Sequence, residues 1–286
     1  MTPIFIFSLP RTGSTLLQRI LLSDGRCNTV GEPSFLLRLL GRDDVIQRRA
    51  TYGERLVDSA HQDLRVAWPG FDEAYENGVR ELALNIYRGL AGNRDWFLDK
   101  TPRYHLIADQ IVRIFPDAKF ILLWRHPLAV AASLSSTFRK GLWSIGDYDI
   151  DLHAGLNRLY ELRELHRGRV FEIRYEDLVT NPKFELEQLG DYLRWPKLAE
   201  VLHKPLITDN QGSLGDPTGI KKYSEISANS RDTWKTNYNN WYRRKWAHNY
   251  YKTPRGNIAR ALGYDLTADL QAGPINLWLG IRDWRD

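Results

Sequence analysis

FSLPRTGST, residues 7–15, follows the apolar run Ile4-Phe5-Ile6-Phe7. The β-branched and aromatic residues favour a strand, Pro10 and Gly13 favour a tight turn, and Leu16, Leu17, Ile20 and Leu21 keep the spacing of an amphipathic helix. A strand, a turn and a helix in that order form a cradle for an anion. The first N–H groups of the helix have no partner within it, and the helix dipole favours negative charge there. A nucleotide-triphosphate loop reads G-x-x-x-x-G-K-[ST]. Here Ser8 stands at its first glycine and Ser14 at its lysine. The positive charge sits instead in the turn, on Arg11, and a planar guanidinium suits one compact tetrahedral anion. Taken alone, the same residues also suit an ordinary strand-turn-helix with a surface arginine.

At 286 residues and 33.3 kDa the chain is long enough for one large α/β domain, or for a domain with a substantial appendage. Apolar residues make up 43% and charged residues 26%, which excludes a disordered chain. A net charge of +5 permits an anionic ligand without demanding nucleic acid. The single cysteine, Cys27, excludes an internal disulfide, and no Cys/His cluster has zinc spacing, so no metal is expected. The N-terminal apolar run is short, holds Pro3 and lacks a basic flank, so neither a signal peptide nor a membrane span is expected there. A reducing, cytoplasmic setting follows as the expectation.

Further strands are expected at Trp96-Phe97-Leu98, Phe120–Trp124 and Val170–Arg174. They end in Asp99-Lys100-Thr101-Pro102-Arg103-Tyr104, in Arg125-His126-Pro127 and in Tyr175-Glu176-Asp177. Helices are expected near 34–40, over 42–92, with Val79, Leu82, Ala83, Ile86, Tyr87 and Leu90 as their apolar stripe, and over Ile107–Phe115. Apolar strands alternating with helices imply an α/β fold, a P-loop-like parallel sheet covered by helices on both faces, with ligands at the carboxyl ends of the strands. Beyond about residue 205 the chain turns rich in Gly, Pro, Asn and Ser, and then becomes basic and aromatic over 221–260. Trp234, Tyr238, Trp241, Tyr242 and Trp246 keep helical spacing, which predicts a helical, aromatic-rich C-terminal cap. Residues 1–286 therefore read as a single domain, with 1–205 the nucleotide-binding core and 206–286 the C-terminal loop and cap.

A second anion site is readable in RHPLAVAAS, residues 125–133: an arginine at a strand end and a serine eight positions later in the next helix. This pairing, together with the 7–15 loop, resembles the sulfotransferases that use 3′-phosphoadenosine 5′-phosphosulfate (PAPS) as donor. The similarity spans roughly residues 3–180. PRTGSTLL, the Glu32 region, DKTPRY, WRHPLAVAASL and RYEDL occur in the family's order. The resemblance implies that Arg11, Thr12, Gly13, Ser14 and Thr15 contact the 5′-phosphosulfate, Arg125 and Ser133 the 3′-phosphate, and Tyr175 the nucleotide. It also suggests GDPTGIKK, Gly215 to Lys222, as the C-terminal phosphate loop, with Lys221 or Lys222 as a contact.

By the same resemblance, the reaction is an in-line displacement in which an acceptor oxygen or nitrogen attacks sulfur, and no metal is required. The stretch Arg26–Glu32 followed by Leu36-Leu37-Arg38-Leu39-Leu40 looks like the tyrosine-sulfating branch around its catalytic glutamate, which makes Glu32 the candidate base. A carboxylate compensating a helix dipole is the other reading of Glu32. His105 is the second candidate, because Pro102 occupies the place of the histidine used by small-molecule members. Lys100 matches the lysine that stabilises the transition state. The expected acceptor is a small metabolite, natural product or glycan.

Two other classes stay open on the sequence. A P-loop kinase or nucleotide-triphosphatase is opposed by Ser14 and by Arg125 in place of a magnesium-binding Asp. A single-stranded nucleic-acid-binding module rests only on the basic, aromatic 221–260 segment.

Overall fold

The computed structural model describes residues 1–41, 51–138, 141–207, 226–228, 231–265, 270 and 283. Among the described residues, five strands form one sheet: β1 (Thr2–Ser8), β2 (Cys27–Thr29), β3 (Trp96–Asp99), β4 (Lys119–Trp124) and β5 (Val170–Arg174). Every pairing is parallel, in the order β2-β3-β1-β4-β5. The central β1 lies between β3 (Phe5 opposite Asp99) and β4 (Ser8 opposite Leu123). After β1 the chain builds outward on one side through β2, and later on the other through β4. The carboxyl end of β1 is thus the switch point, where a crevice opens in sheets of this kind.

The period-2 alternation of β1 divides the core into two layers. Ile4 and Ile6 face an aliphatic layer with Leu17, Ile20, Leu98 and Ile121. Phe5 and Phe7 face the other side, where both stack with Phe120 at 5.9 Å between ring centroids. In chain order the helices are α1 (Ser14–Asp24), α2 (Phe35–Leu40), α3 (Thr51–Ala67), α4 (Phe71–Ala91), α5 (Ala108–Ile114), α6 (Pro127–Phe138), α7 (Leu156–Leu165), α8 (Tyr175–Thr180), α9 (Pro182–Leu193), α10 (Trp241–Tyr251) and α11 (Pro254–Ala261). Helices α1, α8 and α9 cover the aliphatic face, and α4 to α7 the aromatic one. The expected parallel sheet with helices on both faces is the one found.

Three details differ from the sequence reading. Strand β2 was not expected, because Cys27-Asn28-Thr29 has no apolar run. It is held by pairing with β3 and by Thr29 Oγ1, which donates to the Leu98 carbonyl at 2.7 Å. In α4 only Val79, Ala83 and Tyr87 of the expected stripe are buried, while Leu82 and Ile86 are exposed. The aromatic spacing after residue 230 spans a 3₁₀ turn, Thr233–Asn237, and then a separate helix, α10, capped by Asn240 Oδ1, which accepts from the Arg243 N–H at 3.0 Å.

Trp234, Tyr238, Tyr250 and Tyr251 are buried against the aromatic layer. The Tyr238 and Tyr250 hydroxyls donate to the Leu128 and Leu152 carbonyls, each at 2.9 Å. A buried ion pair, Arg243 Nε to Asp283 Oδ2 at 2.6 Å, fastens residue 283 to α10. These rings are committed to packing, so they offer no stacking platform for bases. Among the described residues, no helix is long and apolar enough to cross a membrane.

Candidate active site

The loop after β1 has an unusual backbone. Arg11 has φ 67° and Gly13 φ 94°, both in the left-handed region. At Gly13 only glycine fits, since a Cβ there would lie 2.4 Å from Cδ2 of Tyr175. Thr12 Oγ1 donates to the Leu9 carbonyl at 2.9 Å and closes the turn. Helix α1 then begins at Ser14 with no side-chain cap and no acidic residue in its first turn. Its N-terminal N–H groups and dipole therefore meet no protein anion on that helix.

Strands β4 and β5 supply the other wall. Arg125, just past β4, lies 4.3 Å over the Tyr175 ring and donates from Nη1 to the Arg11 carbonyl at 2.9 Å. Its Nε is buried and has no hydrogen-bond partner among the described residues, a donor that an anionic ligand would satisfy. Arg11 Nε donates to Ser133 Oγ, on α6, at 3.1 Å. Arg11, Arg125, Ser133 and Tyr175, scattered over the sequence, thus form one contiguous group at the sheet edge.

On the other side of β1, Lys100 follows β3 and Glu32 follows β2. Lys100 is buried, 1% exposed, and its Nζ donates to Glu32 Oε1 at 2.8 Å. An ammonium so deeply buried needs a partner of this kind. Glu32 keeps 24% of its side chain exposed, so the pair opens to solvent on the carboxylate side. His105 has a different environment. It is buried in a 3₁₀ turn, Pro102–Leu106, with Nε2 2.9 Å from Asp151 Oδ1, and Arg103 Nη2 donates to Asp151 Oδ2 at 3.1 Å. Burial pushes the His105 pKa down, opposed by Asp151. Among the described residues, no group of three or more His, Cys, Asp or Glu is placed to hold a metal ion.

Residues 3–200 match the sequence model of the Sulfotransferase family. The chain belongs to the sulfotransferase family. It is 28% identical over 260 residues to the nodulation protein NoeE of Sinorhizobium fredii, an alignment covering 81% of this chain and 59% of that protein. It is 23% identical over 232 residues to the protein-tyrosine sulfotransferase of Drosophila melanogaster, covering 77% of this chain and 42% of the other. The chain therefore spans about six-tenths or less of the length of these curated relatives. Among solved structures, the sulfotransferase domain from the curacin biosynthetic pathway superposes with a TM-score of 0.60 at 25% identity, over 93% of this chain and 98% of that one.

The sequence also singled out the stretch Gly215 to Lys222, with Lys221 or Lys222 as a phosphate contact, and all of it lies outside the described residues. Several site residues escaped the sequence reading. Asp151 sits 46 positions from His105, in a π-helical turn, Ile150–Gly155, that no periodicity announces. Glu176 accepts from the His126 N–H at 3.0 Å and from the Tyr264 hydroxyl at 3.0 Å, tying β4, β5 and the C-terminal cap together behind Arg125 and Tyr175. Asp99 is fully buried and accepts from both the Tyr87 and Tyr104 hydroxyls at 2.6 and 3.1 Å. Burial pushes its carboxyl up to about 6, against the hydrogen bonds and Lys100, which pull it down. A polar triplet closing an apolar strand, DKT after Trp96-Phe97-Leu98, was the one signal available for Asp99.

Proposed function

We propose that this sulfotransferase moves a sulfuryl group from PAPS to a hydroxyl or amine of a small metabolite, natural product or glycan. The observation that carries the reading is the joined pair of cationic positions: Arg125 is hydrogen-bonded to the Arg11 carbonyl, while Arg11 reaches Ser133. A nucleotide with phosphates at both 3′ and 5′ positions needs two such positions at one sheet edge. Arg11, Thr12, Gly13, Ser14 and Thr15 would hold the 5′-phosphosulfate at the head of α1. Arg125 and Ser133 would hold the 3′-phosphate, Tyr175 would contact the nucleotide, and Lys221 is proposed as a further phosphate contact.

In this reading the acceptor oxygen or nitrogen attacks sulfur as the bond from sulfur to the bridging phosphate oxygen breaks. Adenosine 3′,5′-bisphosphate leaves with the electron pair, and Glu32 takes the acceptor proton. The Lys100–Glu32 contact supports a coupled role. Protonating Glu32 cancels its attraction for Lys100, whose charge then turns to the leaving oxygen just as negative charge grows there. His105 is the weaker base candidate, because Nε2 is occupied by Asp151 and the ring is 1% exposed.

Residues 1–286 are read as one unit, a core over 1–205 and a cap over 206–286. A cytoplasmic setting is supported by the single, buried cysteine. Incubating the protein with ³⁵S-labelled donor and fractionated metabolite extract tests the proposal. Label should appear in an acceptor with equimolar release of the bisphosphate. Bound donor that is never consumed in any fraction would contradict it.

A further inference from the structure

Strand β3 ends in Asp99-Lys100-Thr101, and the three side chains divide two tasks. Lys100 meets the Glu32 carboxylate. Asp99, fully buried, accepts from two phenols and from Thr101 Oγ1 at 3.0 Å. An ionised carboxylate only accepts hydrogen bonds. It therefore draws the Thr101 hydrogen to itself and leaves the hydroxyl lone pairs for a donor. That donor is the Ser34 N–H, at 3.2 Å.

Ser34 is two residues beyond Glu32 and has φ 57°, a conformation that costs a side-chain-bearing residue free energy unless its surroundings hold it. Its hydroxyl donates back to the Glu32 carbonyl at 3.2 Å. The segment Glu32-Pro33-Ser34 is thus fixed to the end of β3 twice, once through the Lys100 ammonium and once through Thr101. The first tether holds only the carboxylate. The second fixes its backbone.

We infer that Asp99 and Thr101 are positioning residues for proton transfer at Glu32, acting through the relay from Asp99 to Thr101 to the Ser34 N–H. The inference rests on the reading of Glu32 as the base. Neither residue touches the reacting atoms. Their effect is on where the carboxylate stands, and misplacement of a base costs rate with little cost in donor binding.

Thr101→Val keeps the shape and removes the hydroxyl, and Thr101→Ser restores it. Three readouts apply: calorimetric affinity for adenosine 3′,5′-bisphosphate, its release from PAPS with water as acceptor, and the Glu32 resonance in protein carrying ¹³C-carboxyl glutamate, assigned with Glu32→Gln. Thr101→Val should bind the bisphosphate within about threefold of wild type, yet release it at least about tenfold more slowly through kcat, the loss of roughly one hydrogen bond. Its Glu32 resonance should be displaced. Thr101→Ser should recover at least about half of the rate and the wild-type resonance. A Thr101→Val protein with wild-type rate and unmoved resonance overturns the inference, as do equal losses in the Val and Ser variants. If Glu32→Gln releases the bisphosphate as fast as wild type, the base assignment fails, whereas the resonance still decides whether the relay holds Glu32.

Discussion

Arg11 and Ser133 are 122 positions apart in the chain, and Arg11 Nε donates to Ser133 Oγ at 3.1 Å. The loop after β1 and helix α6 are therefore one surface, and Arg125 joins it through the Arg11 carbonyl. Removing the Ser133 hydroxyl deletes one neutral acceptor. Removing Arg125 deletes a charge and a prop for the left-handed Arg11 backbone.

The two substitutions should separate accordingly. Ser133→Ala should weaken adenosine 3′,5′-bisphosphate binding by about 1 kcal/mol, roughly fivefold, and leave AMP binding unchanged. Arg125→Ala should cost about 1.5–3 kcal/mol for the bisphosphate, roughly 10- to 150-fold, and a few-fold for AMP through the loop. Calorimetry with both nucleotides checks this. Equal losses for the two ligands in Ser133→Ala would remove the serine from a dedicated 3′ position.

Gly13 and Tyr175 should be energetically coupled. A Cβ at Gly13 would sit 2.4 Å from the Tyr175 ring on a backbone with φ 94°. Gly13→Ala should destabilise the fold by about 1–3 kcal/mol, part steric and part conformational. Tyr175→Ala should relieve only the steric part, so a double-mutant cycle in urea should give a non-zero coupling. Strict additivity would mean that the ring does not cross the loop in solution.

Much of the fold was legible because it rests on local patterns. Residues 4–7, 120–124 and 170–174 announced their strands by apolar runs, and Pro10 and Gly13 announced the turn into α1. Strand β2 was illegible because three polar-leaning residues form it only by pairing with β3. The Lys100–Glu32 ion pair was also illegible as a contact: both residues were singled out, but only the order of β2 and β3 in the sheet brings them together. Asp151 and Glu176 act through partners 46 and 88 positions away, a distance over which periodicity carries no signal.

Glu32→Gln should lower turnover by about 10²- to 10⁴-fold, the range for a positioned general base, with bisphosphate affinity nearly unchanged. His105→Gln should act mainly on stability, because it disturbs a hydrogen bond to the buried Asp151 carboxylate, and a bond to a charged group contributes about 1.5–3 kcal/mol. Donor turnover and thermal melts of both variants provide the check. A stable but inactive His105→Gln beside an active Glu32→Gln would reverse the roles.

Asp99 should give stability a distinctive pH dependence. Its carboxyl is raised from an ordinary 3.8 to about 6, chiefly by burial. Between those values the folded chain binds a proton that the unfolded chain does not, so the contribution of this group to stability rises as pH falls through the window. The Tm of wild type minus that of Asp99→Asn should therefore increase from about pH 7 to about pH 4.5. A difference that stays flat or declines would show that the carboxyl titrates in its ordinary range.

The proposed pair of anion positions is tested most directly by calorimetry of the wild-type protein with adenosine 3′,5′-bisphosphate, AMP and ATP, each with EDTA and with magnesium. Arg125 has a buried Nε without a partner among the described residues and stands beside a helix start free of acidic residues. The bisphosphate should bind roughly 10- to 150-fold more tightly than AMP, with or without magnesium, since one charge-assisted group contributes about 1.5–3 kcal/mol. ATP binding more tightly than the bisphosphate, and only with magnesium, would contradict the sulfuryl-transfer reading.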